Sequence, residues 1–161
     1  MRKPGSVRGL EQLGRVRLSP SFYMREFLHS EIAEIHAISN IPDDPDLAIA
    51  AGTKLCGELL EPLNDRFGRI VIRSAFRSAA VNGFGNANKL NCASNEADRA
   101  GHIWDLRDAD GHMGATACIV IPRLAETDWR AIAWWIHDHL PYSHLQFFPK
   151  LRAFNIQWHE N

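Results

Sequence analysis

Arg69-Ile70-Val71-Ile72-Arg73-Ser74 is the stretch at which this chain changes its period. Ile70 and Ile72 fall on one side of an extended backbone and Val71 and Arg73 on the other, the alternation of a half-buried strand. Before this point the period is helical. Leu47, Ala51, Leu55, Leu59, Leu63 and Phe67 recur at four-residue spacing and line one helix face. Asp44 is suited to cap the start of that helix, Pro45 to occupy its first position and Gly68 to close it. Pro62, which has no N–H to donate, is expected to kink its last turns. Further upstream, Phe22, Phe27, Leu28, Ile32, Ile35 and Ile38 predict a first helix over 21–38, ended by Asn40-Ile41-Pro42-Asp43-Asp44.

Downstream the pattern is dominated by short extended runs. Residues 102–106, 117–121 and 142–148 are candidate strands, the last of them the final strand. Ala79-Ala80-Val81-Asn82 reads as a short helical turn and 83–101 as a long Asn-rich loop, the kind of segment that is functional or mobile. Asp108-Ala109-Asp110-Gly111 has turn chemistry. Thr127 is a suitable cap for a helix through Trp129, Ile132, Trp135 and Ile136 to about Leu140, stopped by Pro141. Helices first and then an antiparallel set of strands with one helix inserted define an α+β fold, with N-terminal helices packed on a small, mostly antiparallel sheet. The expected organisation is a basic arm over 1–19 followed by a single domain over 20–161 that ends in a tail.

Composition narrows the class. The chain has 161 residues, 45% of them hydrophobic, enough for one domain with a real core. A net charge of -1 gives no general attraction to nucleic acid or to an anionic membrane. The positive charge is concentrated at the start, where Arg2, Lys3, Arg8, Arg15 and Arg17 face a single Glu11, a solvated tail or an arm for an acidic partner. Cys56, Cys92 and Cys118 are too few and too unevenly spaced for a disulfide framework or a Cys-based zinc site. No apolar h-region opens the sequence and no run approaches the ~18 residues of a membrane span, so synthesis in a cytoplasm is the expectation. No phosphate loop, dinucleotide fingerprint or nucleophile elbow is present.

The residues with the most chemistry are Gly101-His102-Ile103-Trp104-Asp105 and Ser143-His144-Leu145. Two imidazoles and a carboxylate are what a three-ligand zinc site uses, with a fourth position open to water. Asp105 lies in an apolar run, where a carboxylate has to be paired, hydrogen-bonded or metal-bound. Strand parity sets His102 and Asp105 on opposite sides, so a bulge would be needed to aim both at one ion, and Asp98 competes as the third ligand. Arg77, between Ser74 and Ser78, is placed to bind a substrate carboxylate. His137 and His139 read as surface residues, Trp134 and Trp135 as core and rim, and Asp108, Asp110 and His112 as a turn.

Several of these segments together carry a resemblance. Ser21 to Leu28, Leu60-Glu61-Pro62-Leu63, the strand at Ile70–Ile72, Ser74-Ala75-Phe76-Arg77-Ser78 and Tyr142-Ser143-His144 are similar to the helix, L-x-P-L, S-G-Y-R-S and W-x-H segments of the M15 metallopeptidases. These are the D-alanyl-D-alanine carboxypeptidase group, which shares a fold with the hedgehog signalling domain. The resemblance covers about residues 20–148 and implies a hedgehog/DD-peptidase-like fold and a Zn2+ cofactor. Against the family motif S-x-H-x-x-G-x-A-x-D, Gly101 and Asp105 match and Asp98 stands where the first histidine belongs. The glutamate that serves the family as general base is replaced by Leu140-Pro141-Tyr142, with Asp138 the nearest acid upstream and Glu160 in the tail.

Two functions follow as expectations. One is a zinc peptidase acting on peptidoglycan stem peptides, with His102 (or Asp98), Asp105 and His144 on the metal, and with Arg77 and Asp138 in catalysis. The other is a non-catalytic virion or cell-wall-binding protein that keeps the fold, delivered on a particle or by host lysis, with the basic arm as a contact for other virion proteins.

Overall fold

The structure, a computed structural model, describes residues 1–124 and 128–161. Helix α1 (Val7–Gly14) is capped by Ser6, whose hydroxyl accepts from the Gly9 amide. Strands β1 (Arg17–Ser19) and β2 (Phe22–Tyr23) form an antiparallel hairpin, and a 3-10 turn spans Met24–Phe27. After these come α2 (Glu31–His36), α3 (Pro45–Leu55), a π-helical turn (Cys56–Leu60) and α4 (Glu61–Phe67). Strand β3 (Val71–Ser74) leads to α5 (Ala79–Ala87) and α6 (Asn95–Asp98). Strand β4 (Gly114–Val120), helix α7 (Trp129–His139), β5 (His144–Phe148) and β6 (Ala153–His159) complete the chain.

The fold is α+β, with a four-stranded antiparallel sheet in the order β3-β4-β6-β5. One face of the sheet carries Ala115, Ala117 and Ile119 of β4 against Trp158, Ile156 and Phe154 of β6, and all six are buried. That face packs on Ala48, Ala51, Leu55, Leu59 and Leu63 of the helical segment, so the i, i+4 stripe is the core stripe from Ala51 to Leu63, with Phe67 partly buried at its end and Ala48 rather than Leu47 in the core at its start. The other face presents Thr116 and Cys118 beside Gln157 and Asn155, with His144 and Gln146 exposed at the β5 edge. Among the described residues, no helix is long and apolar enough to cross a membrane.

Several local expectations hold. Asp44 caps α3 by accepting from the Leu47 amide at 3.1 Å, Pro45 opens the helix, and Gly68 closes α4 at φ 82°. The disturbance around Pro62 takes the form of the wide π turn just before it, in which the Glu61 amide bonds the Cys56 carbonyl.

Four expectations are corrected. The helix over 21–38 is a hairpin strand, a 3-10 turn and a six-residue helix, because side chains capture the backbone donors first. Glu61 takes the Ser21 amide, Glu26 the Tyr23 amide and Ser30 the Ala33 amide. The loop over 83–101 contains the second half of α5 and all of α6, capped by Ser78 and Ser94. Residues 102–106 are turns with a single bridge from Arg99 to Ile103 rather than a strand, so strand parity does not govern His102 and Asp105. The C-terminal tail is strand β6, and it lies inside the sheet between β4 and β5. The expected cap Thr127 lies outside the described residues; α7 starts after Asp128.

The basic segment 1–19 is packed on the domain. Leu13 and Leu18 are in the core, the Met1 ammonium pairs with Asp46 and Lys3 with Asp43. Its arginines 8, 15 and 17 remain exposed. Trp135 packs edge-on against Phe67, whereas Trp134 is 67% exposed.

Gly114 is required by a close approach. A Cβ there would run into the carbonyl oxygen of Ala100, a backbone atom with no rotamer to escape through. Gly114→Ala is therefore expected to cost about 3 kcal/mol. At this chain length that is a fall of roughly 6–12 °C in the thermal midpoint. A midpoint within a degree of wild type would show that the 98–101 segment does not rest on β4 as described.

Candidate functional site

The Ser74–Ser78 and 98–105 segments meet beside the open face of the sheet. The Arg77 amide donates to the His102 carbonyl at 2.8 Å, and the Thr116 amide of β4 donates to Gly101 at 3.0 Å. Gln157 of β6 reaches across to the Ala100 carbonyl at 2.8 Å. The turn that holds the motif is thus tied to strand β4, to the strand-end loop after β3 and to the C-terminal strand.

Inside this frame most of the chemical groups pair with one another, while Arg77 Nε and Asp105 Oδ1 are buried without a hydrogen-bond partner. The Arg77 guanidinium bonds Asp98 Oδ2 at 3.3 Å through Nη2 and the Cys92 sulfur through Nη1. Asp98 Oδ1 accepts from the His102 amide at 3.1 Å. Arg77 and Asp98 side chains are 15% and 11% exposed, so this is a mostly desolvated pair. His102 Nδ1 is bonded to the Ala75 carbonyl at 2.9 Å. Burial, followed by the nearby Arg77 charge, lowers its pKa from 6.5 to about 4, against a smaller upward pull from Asp98. The imidazole is therefore neutral at ordinary pH.

Asp105 is 6% exposed and faces the start of α3. Its Oδ2 accepts from the Asp43 amide at 2.7 Å and the Asp44 amide at 3.4 Å, just ahead of the helix. Burial raises its pKa despite these amides. Its Oδ1 has no hydrogen-bond partner. His144 is exposed at the start of β5, opposite Gln157. Asp138 is exposed on α7. Among the described residues, no group of three ligand atoms that includes Asp98, His102, Asp105 or His144 gathers within 4.8 Å. The structure brings Arg77, Asp98 and His102 together, sends Asp105 to α3 and leaves His144 and Asp138 at the surface.

A second cluster lies at the end of the sheet. Asp108, His112 and His159 place their ligand atoms within 4.8 Å of one another and form a possible metal-binding triad. His159 Nε2 is 2.7 Å from Asp108 Oδ2, and His112 Nδ1 is 3.8 Å from the same oxygen. The His112 amide above all, with help from His159 and the Asp110 amide, holds the Asp108 carboxyl below the usual carboxylate range. The sequence predicts a turn for Asp108, Asp110 and His112 and places His159 in a tail. The alternation of Phe154, Ile156 and Trp158 with Asn155, Gln157 and His159 was the signal for a strand that would carry His159 to this place.

Compared with protein-family models, curated proteins and solved structures, the chain matches none.

The depressed pKa of His102 sets a pH dependence. The unfolded chain takes up a proton on this histidine as pH falls through 6.5, and the folded chain only near 4. Its contribution to stability is complete above pH 6.5, declines between 6.5 and about 4, and changes no further below that. His102→Asn, which can still bond the Ala75 carbonyl, should lose less stability than wild type between pH 7 and pH 5. Urea denaturation at the two pH values measures this; equal losses would contradict a buried neutral imidazole.

Proposed function

We propose that this protein is a non-catalytic peptide-binding module on a hedgehog/DD-peptidase-like frame, with peptidoglycan stem peptides as the ligand class. The observation that carries the reading is the Arg77–Asp98 ion pair. The resemblance gives Asp98 the position of the first zinc ligand. Here both carboxylate oxygens are taken, and the cation that neutralises it is a guanidinium from the same domain. Asp105, the best match to the family motif, acts on the amides before α3.

The residues at 98–105 are a poor fit for zinc. Asp105 Oδ1 is the one carboxylate oxygen there without a partner, and a single such atom does not make a three-ligand site. If the protein takes Zn2+, the better donors are Asp108, His112 and His159. Peptide binding is supported by the polar sheet face, where His144 and Gln146 are exposed beside the half-buried Gln157 and Asn155, and Arg73 is exposed on β3 across the buried Thr116 and Cys118. These groups match the carboxylates and amides of a short peptide, and Arg73 is better exposed than Arg77 to meet a terminal carboxylate.

The test compares cleavage, binding and stability. The protein should cosediment with purified peptidoglycan, and Arg73→Ala should weaken that binding. Stem peptides should stay intact with and without added Zn2+. Arg77→Met should cost about 3 kcal/mol by leaving Asp98 buried without its cation, and Arg77→Met with Asp98→Leu should recover much of it. Stem-peptide cleavage that vanishes in Asp105→Ala would overturn the non-catalytic reading.

A further inference from the structure

We infer that Asp108, His112 and His159 bind a divalent transition-metal ion of the zinc type. The site is separate from the Arg77 cluster and does not depend on the peptide-binding reading. Its three side chains come from two distant parts of the chain, the turn before β4 and the end of β6.

Each ligand is positioned by backbone. Asp108 opens a tight turn in which its own amide donates to the His112 carbonyl at 3.0 Å. Its Oδ1 accepts from the Asp110 amide at 3.0 Å and the His112 amide at 2.9 Å. Gly111 supplies the left-handed step at φ 86° that brings His112 back toward Asp108. The carboxylate is thereby oriented, with Oδ2 left over and aimed at the two imidazoles. His159 ends β6 opposite Gly114, and its neighbour Trp158 is fixed in the core by a bond from Nε1 to Glu58 at 2.8 Å. Strand alternation then sends His159 to the opposite face, toward the turn.

An Asp–His hydrogen bond needs one imidazole, and His159 at 2.7 Å provides it. His112 Nδ1, at 3.8 Å from the same oxygen, is too far to be a second hydrogen bond. Three donors of the right type converge on a space that a shared ion would close. Zinc with imidazole nitrogen and carboxylate oxygen has bonds of ~2.0–2.2 Å, which sets tetrahedral ligand atoms ~3.3 Å apart. The His159–Asp108 pair would therefore open from 2.7 Å as the ion replaces their shared proton, and the partly exposed His112 would rotate in from 3.8 Å. Two nitrogens and one oxygen favour Zn2+ and its late first-row neighbours over Mg2+ or Ca2+, which prefer all-oxygen sets. Side-chain exposures of 25%, 39% and 22% for Asp108, His112 and His159 leave the remaining positions to water. Next to the triad, Glu160 holds Arg107 at 3.4 Å and accepts from the Met113 amide at 3.1 Å. A bound ion would join the turn before β4 to the end of β6.

The test is titration of the chelator-treated 161-residue chain with Co2+, followed by visible absorption, and displacement of Co2+ by Zn2+. One ion per chain is expected, with Zn2+ binding in the micromolar range or tighter. His112→Ala and Asp108→Asn should each weaken binding at least ~10-fold. Asp108→Asn keeps an oxygen for the turn amides, and His112 is on an exposed turn, so neither loss can be ascribed to unfolding if the thermal midpoint is retained. The double variant His137→Ala/His139→Ala, which removes two surface histidines of α7, should bind as wild type does. Unchanged affinity in His112→Ala and Asp108→Asn, an equal loss in the α7 variant, or Zn2+ binding no tighter than millimolar would each overturn the proposal.

Discussion

The burial of Trp104 is the constraint on which the arrangement depends. Its ring is fully buried between Phe27, with centroids 5.4 Å apart, and Phe76, at 6.2 Å. Its indole N–H donates to the Thr116 carbonyl of β4 at 3.1 Å, so the one polar atom of the side chain is satisfied. The ring lies so close to α3 that a Cβ at Gly52 would come within 2.8 Å of it. One side chain thus fixes the distance between the helical layer and the sheet. It also fixes the turn that carries it. With Trp104 driven inward, Asp105 is delivered to the amides of Asp43 and Asp44, and His102 and Asp98 fall back toward Arg77.

This explains why the polar residues around Trp104 compensate one another. A carboxylate in such a place is costly unless it is paired or fully hydrogen-bonded. Asp98 has Arg77 and an amide; Asp105 has two amides ahead of α3 on Oδ2, with Oδ1 left over; His102 stays neutral. The Arg77 guanidinium is the group that integrates the set, since it also bonds Cys92 and so closes the segment between α5 and α6 over the turn. A metal ligand set needs lone pairs held in common toward one point. Here the lone pairs are directed outward to separate donors, and the cluster is more readily understood as stabilising the turn than as awaiting an ion.

What was legible in the sequence follows from how local the determining forces are. The α3–α4 stripe, the caps Asp44, Pro45 and Gly68, and strand β3 within the 69–74 stretch depend on neighbours within a few residues. The region 21–30 does not. Its apolar residues have helical spacing, but Glu61, forty positions away, binds both Ser21 and Ser19 and holds the chain as a hairpin. The site divides along the same line. Arg77, Asp98 and His102 were legible as candidates for substrate and metal, and they meet as partners of one another. His159 was not, because its role depends on β6 inserting between β4 and β5, a pairing set by Ala115, Ala117 and Ile119 across the sheet.

Strand β6 therefore links the two polar regions of the molecule. Its core face places Phe154, Ile156 and Trp158 against the helical layer, and its other face places Gln157 on the Ala100 carbonyl and His159 beside Asp108. Alternation makes these roles inseparable: a one-residue slip would remove Trp158 from the core, Gln157 from the 98–105 turn and His159 from the triad at once. The register is secured mainly on the apolar side, where Trp158 is buried and its indole bonds Glu58. The positions of the polar groups follow from that register. In this fold the geometry of the candidate metal triad is inherited from the packing of a tryptophan one residue away.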